Sequence, residues 1–156
     1  MTDNQIARVF AAACEAGQAP CLTQCHWRDA YSVKIEIVDS QHKVLVNTFK
    51  ELHATIVSGM SREHLGKILS TLIKYAQDHF KKEERLMVTH QYVDPPNHKA
   101  KHEQFTKTVL EFEGKFMKNE VGLSGEVMNF LKEWFMNHIM GVDQKYAPDL
   151  TSKGVK

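Results

Sequence analysis

One helical seam in this chain carries groups that do not belong in a core. Along Leu65, Leu69, Leu72, Ala76, His79, Glu83 and Leu86 the steps are 4, 3, 4, 3, 4 and 3 residues. That spacing returns side chains to one face of an α-helix. His79 and Glu83 lie in the stretch HFKKEE and project together from the face that should be buried. A carboxylate left unsatisfied there would cost several kcal/mol, so the fold must supply a cation or a proton. Glu84, the next residue, falls off the seam and is expected to be a solvated surface charge.

Three further seams follow. A first helix is expected to start at Asp39 or Ser40, both good N-caps, and to run to about Val57, with His42, Leu45, Phe49, Leu52 and Ile56 on one face. The HFKKEE helix follows Ser61 and ends near Val88. A third helix opens at Asp94-Pro95-Pro96, where proline suits a first turn, and runs to about Lys118 with His98, His102, Phe105, Val109, Phe112 and Phe116 in line. A fourth begins after Ser124 and carries Val127, Leu131, Trp134 and His138. Four such helices with short connections define an all-α fold, an antiparallel up-down-up-down four-helix bundle. Val33, Ile35 and Ile37 alternate with polar residues and suggest an extended arm leading into it.

This reading places the bundle at residues 27–147, with a short frayed tail at 148–156. Residues 1–26 form a separate extension in which Ile6, Val9, Phe10 and Ala13 fit one short amphipathic helix. The three cysteines, Cys14, Cys21 and Cys25, all fall in that extension. An odd number in a terminal segment is no disulfide framework and fits a reducing compartment, so a cytoplasmic protein is expected. A net charge of +1 offers no field for nucleic acid. No apolar run approaches the roughly 18 residues of a membrane span.

Alternation of helix direction brings the polar seam positions together. The starts of the first and third helices share an end with the finishes of the second and fourth. His42, His79, Glu83, His98, His102, His138 and Asp143 thus converge on one layer, while the rest of every seam is apolar. A single histidine on an apolar face is commonly a hydrogen-bonded core residue. Five with two carboxylates cannot satisfy one another cheaply, and a bound cation is the usual compensation. The donor set exceeds one tetrahedral zinc and suits iron, manganese, zinc or copper. If both carboxylates bridge two ions, the protein fills nine positions. A solvent bridge would raise that to eleven of the twelve that two octahedral ions require, leaving one open.

The step from His138 to Asp143 is five residues, which an ideal α-helix turns by about 140°, off the seam. A π-type turn near Gly141 is therefore expected, since it would bring i+5 back into line.

These residues match a family. W-x3-YSV (Trp27 to Val33), IVDSQHK (Ile37 to Lys43), Y-x3-HFKKEERLM (Tyr75 to Met87), HKAKH (His98 to His102) with Phe105, and W-x3-HIMGVD-x2-Y (Trp134 to Tyr146) resemble the hemerythrins, most closely the single-domain bacterial kind. The resemblance spans residues 27–146. It implies a non-haem di-iron centre, two oxo- or hydroxo-bridged iron ions, that binds dioxygen reversibly and turns nothing over. It implies that His98, His102 and His138 hold the saturated iron, that His42 and His79 hold the iron with the vacant site, and that Glu83 and Asp143 bridge. In such proteins O2 enters the vacant site of the di-ferrous form and is held as hydroperoxide.

The nearest competing pattern, that of ferritin-like di-iron oxidases, is rich in glutamate and uses Glu-x-x-His on two helices. This chain has His-x3-Glu and His-x3-His instead. The expected role is an oxygen carrier or store with no nucleic-acid partner, passing O2 to an acceptor protein that consumes it. The alternative is an O2 or redox sensor that signals through the N-terminal extension. Enzymatic turnover would need a proton donor or substrate path that the sequence does not display.

Overall fold

A computed structural model of the chain describes residues 27–93 and 97–156. The extension at residues 1–26, with its cysteines and expected short helix, and the Asp94-Pro95-Pro96 opening lie outside the described residues. The principal helices are α1 (Glu36–Ser58), α2 (Arg62–Thr89), α3 (Asn97–Met117) and α4 (Leu123–Trp134). The last continues without a break through a π-helical segment, Phe135–Val142, into α5 (Asp143–Ser152). α1 packs on α2 and α4, and α3 packs on α2 and α4, which closes the antiparallel bundle.

The entry into α1 differs from expectation. The helix begins at Glu36, not at Asp39 or Ser40, with Ile35 as the last extended residue. Asp39 is inside the first turn, where a negative charge suits the helix dipole, and its carboxylate reaches backwards. It accepts from the Val33 backbone N–H at 2.8 Å and from the Ser32 hydroxyl at 2.5 Å. The expected extended arm is correspondingly a short 3-10 turn at Asp29–Tyr31 followed by a tight bend, with Lys34 at a left-handed φ of 60°. Val33 and Ile35 are fully buried, while Ile37 is helical and 44% exposed. α2 begins directly after Ser61, as expected, and Ser61 caps it: its Oγ accepts from the His64 backbone N–H at 3.2 Å.

The C-terminal end also departs from the sequence reading. Residues 148–156 are not a frayed tail, because α5 runs to Ser152 and Leu150 is fully buried. It joins Val33, Ile35, Val38, Met87, Tyr146 and Ala147 in a small apolar cluster. The main core, which includes Leu52, Leu72, Phe105, Val109 and Leu131, lies on the other side of the histidine positions. Along α1 the order is Val38, His42, Leu45, and along α2 it is Ala76, His79, Glu83, Met87. The polar layer is therefore enclosed between two apolar ones. Among the described residues no helix is long and apolar enough to cross a membrane.

Candidate metal centre

All seven residues singled out in the sequence are buried: His42, His79, Glu83, His98, His102, His138 and Asp143 are each at most 2% exposed. α1 contributes His42, α2 His79 and Glu83, α3 His98 and His102, the π segment His138, and α5 Asp143 at its first position. The expected departure from α-helix is present. The Asp143 N–H donates to the carbonyl of His138, an i to i+5 bond that brings the two side chains into register. His138 Nε2 and Asp143 Oδ1 are 3.0 Å apart.

The donor atoms form two groups. One comprises Glu83, His98, His102, His138 and Asp143, the other His42, His79, Glu83 and Asp143, with atoms in each group within 4.8 Å of one another. Both carboxylates belong to both groups. Asp143 Oδ1 lies 3.1 Å from His98 Nε2, and its Oδ2 lies 3.2 Å from His42 Nε2. Glu83 Oε2 lies 3.1 Å from His102 Nε2 and 3.7 Å from His79 Nε2. These are contact distances, yet the directions do not make hydrogen bonds. Glu83 Oε2, both Asp143 oxygens, both His42 nitrogens, His79 Nε2 and His138 Nδ1 have no hydrogen-bond partner. Buried polar atoms so left are costly unless a cation meets them. His102 Nε2 and His138 Nε2 face each other at 3.1 Å, an approach that also requires a proton or a cation between the lone pairs. The donors fit a pair of bound metal ions.

Without metal, the ionisation of the cluster is strongly distorted. Burial holds His79 down to about 3 against the pull of Glu83. Burial and the Asp143 charge push Glu83 upward, but the nearby His102, His98 and His79 outweigh them and hold it at about 2. His98 is disfavoured as a cation by burial, yet its contacts with Asp143 and Glu83 lift it to about 10. His138, His42 and His98 hold Asp143 well below the usual carboxylate range despite its burial. The pocket holds both carboxylates anionic and disfavours the charged forms of His79 and His138, the protonation states that metals bind, while His98 keeps a proton that a metal would displace.

The outer atoms of several of these residues are tied by groups the sequence reading missed. The buried phenol of Tyr146 donates to Glu83 Oε1, leaving Oε2 to face the cluster. His79 Nδ1 donates to Gln41 Oε1 at 2.9 Å. His102 Nδ1 donates to Glu84 Oε1 at 2.9 Å, and the Glu84 side chain is only 31% exposed. The expectation that Glu84 is a solvated surface charge is thus corrected. Gln41 and Glu84 each stand one position from a seam residue, and which helix that position faces depends on packing that periodicity does not specify. Aromatic rings fix the imidazole planes: Phe80 stacks on His102 at 4.0 Å, Trp134 on His138 at 3.9 Å and Tyr75 on His79 at 4.8 Å.

A histidine-rich pair of metal subsites sharing two carboxylates inside an antiparallel four-helix bundle defines a class, the binuclear non-haem metalloproteins. Comparison with known proteins narrows it. The family model for the hemerythrin HHE cation binding domain matches residues 33–150. The bacteriohemerythrin of Stenotrophomonas maltophilia strain R551-3 is 35% identical over 121 residues, covering 78% of this chain and 78% of that protein. The bacteriohemerythrin of Methylococcus capsulatus strain Bath is 33% identical over 122 residues, covering 78% and 92%. The myohemerythrin of Theromyzon tessulatum is 33% identical over 124 residues, covering 80% and 92%. A wild-type hemerythrin crystal structure superposes with a TM-score of 0.73 at 32% identity, over 82% of this chain and 98% of the other. The chain belongs to the hemerythrin family.

Proposed function

We propose that the seven buried residues hold two iron ions. His98, His102 and His138 bind one, His42 and His79 bind the other, and Glu83 and Asp143 join them. The protein binds dioxygen at this di-iron centre, as an oxygen carrier or store. The observation that carries the ligand assignment is that Glu83 and Asp143 are the two residues common to both donor groups. Five donors on one side and four on the other leave the His42 and His79 side short of one. When bound, the ferrous pair supplies the electrons for reversible O2 capture.

The protein's own part is to hold donors and exclude water. Tyr146 keeps Glu83 turned inward, Gln41 and Glu84 keep the Nδ1 protons of His79 and His102 outward, and the stacked rings restrict rotation. The apolar layers on either side restrict water, which protects a reactive centre from side reactions. We read the chain as a binding protein without turnover of its own that delivers O2 to an acceptor in the cytoplasm. A sensor role through the N-terminal extension is not favoured, because the relatives it matches are named bacteriohemerythrins and myohemerythrins.

The test is iron-loaded protein observed by visible spectroscopy under nitrogen, then air, then nitrogen again. An absorption band that appears with air and vanishes on its removal, at two iron ions per chain, is expected. Irreversible bleaching would overturn the carrier reading, and full iron content in His42→Ala or His98→Ala would overturn the ligand assignment.

A further inference from the structure

Two solvent-facing grooves line the bundle, and each has a histidine of the polar layer in its wall. The larger, about 760 Å³, runs between α2 and α3 and includes Phe80, Glu84, Glu103 and His102. The smaller, about 370 Å³, runs between α1 and α2 and includes Gln41, Tyr75 and His79. In both, the imidazole turns its outer nitrogen toward a polar side chain in the groove wall. The two arrangements match in geometry. Each Nδ1 to oxygen distance is 2.9 Å, and each ring is stacked on an aromatic residue of α2, His79 on Tyr75 one turn earlier and His102 on Phe80 across the helix pair.

They differ in chemistry. Gln41 offers an amide oxygen, and Glu84 a carboxylate that is partly exposed in the groove. Either acceptor fixes the Nδ1–H tautomer and leaves the Nε2 lone pair directed inward to a metal. A carboxylate also draws on that proton, gives the ring imidazolate character and makes Nε2 a stronger donor. The subsite with His98, His102 and His138 has this support, and the subsite with His42 and His79 has only the neutral form.

We propose that Glu84 is a positioning residue that makes the metal held by His102 the more electron-rich of the two, while Gln41 orients His79 without that bias. The inference rests on His79 and His102 being metal ligands. It makes the centre asymmetric by design of the outer contacts as well as by ligand number. The metal on the His79 side remains the more electron-poor, suited to accept a further ligand.

Exchange of the two acceptors tests this, read by iron affinity and by the midpoint potential of the iron-loaded protein. Glu84→Gln should keep two iron ions per chain and raise the midpoint potential, and Gln41→Glu should lower it. Glu84→Ala should weaken iron binding by about 10–100-fold, with Glu84→Gln retaining most of the affinity. Glu103→Gln, which removes the same charge from the same groove without touching an imidazole, is the control and should leave the potential unchanged. Equal shifts for Glu84→Gln and Glu103→Gln, or none for either, would overturn the proposal. Those results leave the ligand assignment standing, whereas undiminished iron affinity in His102→Ala would remove that assignment itself.

Discussion

The two apolar layers that enclose the polar one are unequal. The main core draws on all four principal helices and contains Leu52, Leu72, Phe105, Val109 and Leu131. The opposite layer has, among the described residues, seven buried members, drawn from the bend before α1, the first turn of α1, the end of α2 and the terminal helix. A layer built from element ends and short-range turns has fewer neighbours to hold it than one built from mid-helix seams. The bundle's stability and its closure over the metal centre thus rest on different parts of the chain. A protein can lose the second without unfolding.

Leucines that are fully buried in each layer provide the sharpest contrast. Leu72→Ala should cost about 2–5 kcal/mol in unfolding free energy, with or without metal, because the main core cannot collapse around the hole. Leu150→Ala should cost less, near the lower end of about 2 kcal/mol, and should speed metal release to a chelator where Leu72→Ala does not. Equal rates of metal release in the two variants would erase the distinction.

Tyr146 joins the small layer to the polar one. Tyr146→Phe leaves a buried Glu83 oxygen without its donor, and a loss of about 1.5–3 kcal/mol is expected for a hydrogen bond to a charged group. Chemical denaturation of the metal-free protein would measure it, and an unchanged midpoint would mean that this oxygen finds another partner.

Metal-free protein should also show a stability maximum near pH 6–7. The His79 value is depressed from 6.5 to about 3, so the unfolded chain takes up that proton first and stability falls as pH drops below 6.5. Glu83, depressed from 4.5 to about 2, adds a further loss below 4.5. His98 is raised from 6.5 to about 10, so its contribution is complete below 6.5 and disappears as pH rises toward 10. Denaturation midpoints across pH would test this, and a flat profile would contradict it.

The smallest effect concerns Gly141. A Cβ there would meet only the Met136 carbonyl oxygen, at an ordinary 3.9 Å. Gly141→Ala should therefore be neutral or stabilising by up to about 1 kcal/mol, with metal content retained. Loss of metal would show that the π segment depends on glycine after all.

The helices, the antiparallel arrangement and the seven polar seam residues were legible because all depend on one regularity. Helical spacing puts residues on a face, and alternating direction puts faces at an end. The π segment was legible for the same reason, since His138 and Asp143 could share a face only if the helix changed its winding. The start of α1 was not, because Asp39 is a good cap by type but is recruited by Val33 and Ser32 through a bend that local preference does not foretell. Glu84 escaped for a related reason. Its role depends on α3 lying beside it, and charged residues off a seam are usually solvated. Leu150 was missed because Pro148, at the centre of the last ten helical residues, weakens any helical reading of the stretch after Tyr146.

The π segment does more than adjust one ligand. By adding a residue to the winding it resets the phase of everything that follows, and Asp143, Tyr146, Ala147 and Leu150 then fall on one face of α5. The shared carboxylate, the phenol that steadies the other carboxylate, and the anchors of the small apolar layer are geared to a single offset. Deleting one residue between Phe135 and Val142 would rotate all four by about 100° at once. The same slip would open the apolar layer above the histidines and withdraw a carboxylate common to both donor groups.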